Sequence, residues 1–190
     1  SARIPDAEAR ALFTLPFLRA SEVFDELADA ACAEVLRRAG AWPVAPGTVP
    51  AALHSSRGWA PRSLPLVAFV HRKLAAAGHL RAEEDAYFPG PSDPGDLAAL
   101  EAELAATDPD SAVAGEAVRI LVEECPAFLS GERTGEEILF RPDRLPLWFR
   151  YFSNRNLLYA INNSLGALAL SRVLPESGGR VLEIGGGAGS

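Results

Sequence analysis

Glycines alternate near the end of this chain. Gly185, Gly187 and Gly189 follow the short apolar stretch Val181-Leu182-Glu183-Ile184. An apolar run, an acid and then a glycine-rich turn is how a parallel β-strand brings backbone amides up to a ligand. Glycine lets the main chain approach a bound group with no Cβ in the way. The amides of such a loop, and of a helix that opens after it, face a polar or charged ligand. The carboxyl end of a strand is where ligands sit in an open α/β sheet. A dinucleotide fingerprint would need glycine or alanine where Ser190 stands, and a phosphate loop would need a Gly-Lys-Ser/Thr run that the chain lacks. Gly185 to Ser190 also has the composition of an engineered flexible linker. The strand-like residues ahead of it favour a natural motif.

Other residues able to do chemistry are few. Tyr151, Tyr159, Asn162 and Asn163 lie on a helical stretch just before the glycine motif, where a helix could pass over a ligand. An asparagine amide both donates and accepts hydrogen bonds, which suits contact with an amino acid group. Helix capping and helix–helix bonding would use the same residues equally well. His54, His71 and His79 are the histidines, and they form no metal-ligand spacing. Their settings read as surface or structural, so no catalytic base and no metal site is assigned. Cys32 and Cys125 match no metal pattern and read as small buried apolar residues.

The elements that would position these groups are mostly helical. A helix is expected from Asp6, broken by Pro16. A second starts with Ser21 as its cap and carries Phe24, Leu27, Ala28, Ala31, Val35 and Leu36 on one face. Gly40 closes it in the left-handed conformation. The proline-rich stretch 41–50 is a loop, and a short helix covers 49–55. A further helix begins near Pro61 or Pro65, with Leu66, Phe69, Val70 and Leu74 as its inner stripe. Gly78 ends it, and 79–81 and 86–88 form two short strands joined by the acidic residues 83–85. Helix, glycine, strand, turn and strand is the second half of a winged-helix pattern. Proline-rich residues 89–94 mark a boundary. Helices follow over 96–106 and 112–129, the second presenting Ala117, Ile120, Leu121 and Glu124. A helical turn covers 136–140, with a break bracketed by Pro142 and Pro146. The last helix runs over 147–174 and is interrupted near Ser153. The fold class is therefore mainly α: a helical lid with a winged-helix-like helix and hairpin, ending in the first strand of a Rossmann-like α/β core. The divisions fall at 1–90, 91–175 and 176–190.

Composition narrows the function classes. Hydrophobic content of 48% and charged content of 23% fit a globular chain. A net charge of -7 gives no basic field for nucleic acid or an anionic membrane. Arg62, His71, Arg72, Lys73 and Arg81 do cluster around the candidate recognition helix, but an acidic wing at 83–85 would face phosphates. The N-terminus has no basic segment followed by an apolar stretch, and no uncharged run is long enough to span a bilayer, so a cytoplasmic location is expected.

Residues 181–189, Val-Leu-Glu-Ile-Gly-Gly-Gly-Ala-Gly, resemble motif I of class I S-adenosylmethionine-dependent methyltransferases. The resemblance implies that Glu183, Gly185, Gly187 and Gly189 belong to the cofactor loop, which wraps the methionine end of S-adenosylmethionine. Upstream, residues 129–140, then Leu147-Trp148 and Asn162-Asn163-Ser164-Leu165, resemble the stretch before motif I in methyltransferase domains of modular polyketide synthases. What this implies is an N-terminal lid fragment of such a domain, with the remainder of the domain and an acyl carrier protein as partners. The reaction would be C-methylation of a carrier-bound acyl group, with the base in the remainder and the fragment alone inactive. A small-molecule O-methyltransferase with an N-terminal winged helix is the alternative enzyme, and a non-catalytic interaction module the alternative outside enzymes.

Overall fold

The computed structural model describes residues 6–175, 179, 180 and 182. The described residues are mainly helical, with one two-stranded antiparallel sheet. Helix α1 spans Asp6–Leu12 and α2 spans Leu15–Arg38. Proline and serine near this junction act differently from the sequence reading. Pro16 does not end the first helix; it sits in the first turn of α2, where its missing N–H costs nothing. The cap is Thr14, whose side chain accepts from the Phe17 amide at 3.4 Å, so Ser21 lies inside the helix. At the other end, the Ala41 amide bonds to Leu36 O and the Gly40 amide to Arg37 O, and Gly40 has φ +65°. This is a Schellman closure, and it satisfies carbonyls that a helix end leaves open.

Helix α3 spans Pro50–Ser56, and α4 spans Leu64–Ala76 after a 3-10 turn over Pro61–Ser63. Strand β1, Leu80–Glu83, pairs with β2, Ala86–Pro89, in the register Leu80↔Pro89 to Glu83↔Ala86. The expected helix, glycine and hairpin are therefore present, joined by the same closure at Gly78. The buried stripe of α4 is rotated from the expected one: Val67, Val70, His71 and Leu74 are buried, and Phe69 is exposed. An apolar reading of the helix placed Phe69 inside and left out His71, which the core accepts because its ring nitrogen finds a backbone partner.

Helix α5 spans Leu97–Thr107, capped by Asp96, and α6 spans Ala112–Ser130. Leu121 of α6 is exposed, whereas Val122, Cys125 and Leu129 are buried. Helix α7, Gly135–Leu139, opens with a capping box in which Thr134 and Glu137 satisfy each other's backbone amides. Pro146 does not bracket a break; it lies in the first turn of α8, Leu145–Tyr151. Residues 152–156 interrupt the last helical stretch, and α9 spans Leu157–Ser171.

Helix α2 organises the core. Its first half packs Ala20, Val23, Leu27 and Ala30 against Leu100, Leu104 and Ala114 of α5 and α6. Its second half packs Cys32, Ala33 and Leu36 against Val70 and Leu74 of α4 and Leu80 of β1. Small residues along α2 let α4, α5, α6 and β1 approach one helix, and burial of these aliphatic side chains supplies the driving force. Among the described residues, no helix is long and apolar enough to cross a membrane.

Candidate functional site

The corner between α8 and α9 carries the polar and aromatic candidates. Trp148 of α8 stacks on Phe152 with centroids 5.8 Å apart, and its indole N–H donates to Leu139 O at 2.5 Å. Tyr159, one turn into α9, meets Phe152 edge-on at 5.2 Å and Tyr151 at 6.3 Å. Edge and offset contacts of this kind add to the area that the rings bury. Burial pushes the Tyr151 phenol above its ordinary value, so it remains protonated at neutral pH. Asn163 donates from Nδ2 to Asn154 Oδ1 at 2.7 Å, tying α9 back to the turn before it. Asn162 is exposed. The structure thus brings Tyr151 and Tyr159 together, sets Asn163 against the turn and leaves Asn162 facing outward. Glu183, Gly185, Gly187 and Gly189 lie outside the described residues.

The residue that fixes this corner is one the sequence reading passed over. Asn156 stands at the cap position of α9, is wholly buried, and makes no cap hydrogen bond. Its side chain is used elsewhere: Nδ2 donates to Tyr151 O at 2.8 Å, and Oδ1 accepts from Ser111 Oγ at 3.1 Å. Ser111, also fully buried, lies at the start of α6 and contacts Asp108 as well. One amide therefore ties the end of α8 and the start of α9 to the α5–α6 connection. An asparagine just ahead of an apolar helix reads as a cap in sequence, and only tertiary structure shows that it spans 45 residues.

Helix α9 is unusual in another way. Its sequence, Leu-Leu-Tyr-Ala-Ile-Asn-Asn-Ser-Leu-Gly-Ala-Leu-Ala-Leu-Ser, is apolar around most of its circumference, yet it has no buried residue. Leu158 packs at the edge of the α2 core. Leu170 is 38% exposed, and just past the helix Val173 is 64% exposed. A helix that is apolar all round belongs in an interior, and contiguous exposed apolar surface marks a place for another surface to dock.

Elsewhere the charged groups are engaged in holding the fold. Glu124 of α6 accepts from Arg133 and Arg144, both at 2.7 Å, and these bonds hold its carboxyl below the usual range. Asp29 of α2 sits 2.9 Å from Lys73 Nζ and 3.8 Å from His79 Nε2. Arg62 donates to the carbonyls of Gly131 and Arg133 at 2.7 and 3.0 Å. Arg62, His71 and Lys73, three of the groups clustered near the candidate recognition helix, are thus committed to internal contacts. His54 is buried beside Ala60 O and Ser63 Oγ. Burial raises the Cys32 thiol to about 12 and the Cys125 thiol to about 11, so both stay protonated and unreactive. Among the described residues, no group of three or more His, Cys, Asp or Glu could hold a metal ion.

Two of the hollows formed by the described residues differ sharply in lining. The larger, about 590 Å³, lies between α2, α5 and α6, away from the aromatic corner, and its Arg119 faces Glu101 and Glu123. The smaller, about 260 Å³, is lined almost wholly by carbon, from Val35, Leu66, Leu121, Cys125, Phe128 and Ile138.

No protein-family model matches the chain, and no curated protein does. Solved structures do. The CurJ carbon methyltransferase superposes with a TM-score of 0.68 at 18% identity, over 89% of this chain and 47% of that one. The DszA carbon methyltransferase gives 0.66 at 24% identity, over 90% of this chain and 46% of that one. The chain therefore shares the fold of these carbon methyltransferases across nearly all of its own length, and spans about half of theirs.

Proposed function

We propose that this chain is the helical lid part of an S-adenosylmethionine-dependent methyltransferase of the polyketide synthase type, and that the intact domain transfers a methyl group to carbon of a carrier-protein-bound acyl substrate. The observation that carries the reading is α9. It is apolar, has no fully buried residue and precedes the strand and glycine motif in sequence, so its half-covered apolar face suits the surface of a cofactor-binding core. The likeness to carbon methyltransferases over half their length supports the same division.

In this reading Glu183, Gly185, Gly187 and Gly189 form the cofactor loop, and S-adenosylmethionine supplies an electrophilic methyl group when bound. The helical part contributes orientation and exclusion of water, which are large terms for a displacement at carbon. Tyr151, Tyr159, Asn162 and Asn163 are the residues of α8 and α9 that contact cofactor or substrate in this reading. The carbon-lined hollow beside α6 suits an acyl chain better than a charged substrate. Helix α4 with its hairpin is a winged-helix-like unit that serves packing rather than nucleic acid. The base and the carrier-protein docking site belong to the remainder of the domain.

Calorimetry with S-adenosylmethionine tests this. Residues 1–190 alone give no measurable binding heat, because the loop is only part of the pocket. The chain joined to the rest of the methyltransferase domain binds, and Gly187→Val abolishes that binding by placing a branched side chain where the backbone must approach the ligand. Absence of binding by the joined protein overturns the cofactor assignment. Tight binding by residues 1–190 alone overturns the division of the pocket.

A further inference from the structure

The two halves of α9 are held by different kinds of contact. The first half is anchored by the buried Asn156, by Leu158 on the α2 core, by Tyr159 against Tyr151 and Phe152, and by the Asn163–Asn154 bond. Past Asn163 the contacts change character. Gly166 has open space where a Cβ would project, and Leu170, Val173 and Leu174 are exposed. The far end instead meets α1, through an ion pair between Arg172 and Glu8 whose side chains are 39% and 46% exposed. The glycine motif follows this loosely held end.

We propose that the far half of α9 is a strap: it bends away past Asn163, where the anchoring contacts end, and the Glu8–Arg172 ion pair is the latch that closes it against α1. The proposal rests on the reading that α9 covers a cofactor site, where an opening strap would admit and release the ligand. An exposed ion pair contributes little, which is what a latch needs: enough to bias the closed state, and too little to lock it. No rearrangement of the core is required, because Leu158, which packs on the α2 core, lies in the anchored half and no α9 residue past Asn163 is buried.

Hydrogen exchange on the whole chain, with no cofactor present, tests the latch apart from the methyltransferase assignment. Amides in 160–163 should exchange slowly, and those in 166–174 faster. Glu8→Arg alone, or Arg172→Glu alone, should accelerate exchange over 166–174 by roughly two- to fivefold, the range a surface ion pair can supply. The core helices α2 and α6 should be unchanged. Raising the salt should have a smaller effect of the same sign. The double variant Glu8→Arg with Arg172→Glu should restore slow exchange. Uniform exchange along α9 that ignores both reversals overturns the latch. So does a double variant no slower than either single one. If the pattern appears while the joined protein fails to bind S-adenosylmethionine, the strap stands and the cofactor assignment falls.

Discussion

His71 shows what the core demands of a single polar side chain. It is fully buried on α4, and its Nδ1 lies 2.8 Å from Val67 O. A carbonyl only accepts, so Nδ1 carries the proton, and Nε2 is left as a buried acceptor with no partner. The Tyr87 ring lies 5.2 Å away and offers no charge to an imidazolium. Burial lowers the affinity of His71 for a second proton. As pH falls, the unfolded chain therefore takes up this proton before the folded chain does. The contribution of neutral His71 is complete above about pH 6.5 and is lost progressively below it. Urea midpoints at pH 8 and pH 5 should differ, and His71→Phe should reduce that difference. An unchanged difference would mean that other groups carry the whole acid response. Asn156 teaches the complementary lesson. Asparagine is a common cap residue and Asn156 does stand at the cap position of α9, but its side chain bonds to Ser111 and Tyr151 instead. Long-range partners of a buried amide leave no local periodic signal, which is why reading along the chain singled out Asn163 and not Asn156.

Element boundaries were legible where a glycine ends a helix or an aspartate caps one, and not at Pro16, Ser21 and Pro146, which lie inside helices. Gly40 and Gly78 end helices as expected, and Asp96 starts one. Helix faces were less legible. Both α4 and α6 expose a large apolar residue, Phe69 or Leu121, because more apolar positions exist on each than one core contact can cover. The end of α6 shows how tightly such a device is set. Gly131 has φ +84°, and a Cβ there would come 2.8 Å from Ala60 Cβ. The same junction is held by the Ala60 amide to Leu129 O at 2.8 Å and by Arg62 on the Gly131 carbonyl. Gly131→Ala should cost about 1–3 kcal/mol, from left-handed backbone strain plus the contact. Gly135→Ala is the matched control: its Cβ would meet nothing within 4 Å. It lies in the first turn of α7, where alanine is the better helix former, so it should be neutral or mildly stabilising. Equal losses for the two in urea denaturation would refute a position-specific role for Gly131.

At the scale of the whole molecule, the apolar side chains fall into two populations. Leu27, Leu74 and Leu104 are completely buried and link α2 to its neighbours. The apolar residues of α9 and its extension are not; Leu170, Val173 and Leu174 remain exposed although the sequence there is among the most apolar in the chain. Their type was plain from sequence, but not their emptiness, since burial depends on which other surfaces are present. Leu104→Ala should cost about 2–5 kcal/mol, the usual range for emptying a closed core position. Leu170→Gln with Val173→Gln should change the stability of residues 1–190 by no more than about 0.5 kcal/mol, because neither side chain gives up a buried contact. In the protein joined to the rest of the methyltransferase domain, the same pair of substitutions should lower the unfolding midpoint by core-like amounts. If instead the pair destabilises residues 1–190 alone as much as Leu104→Ala does, α9 is satisfied within this chain, and the argument that its face is shaped for a catalytic core fails.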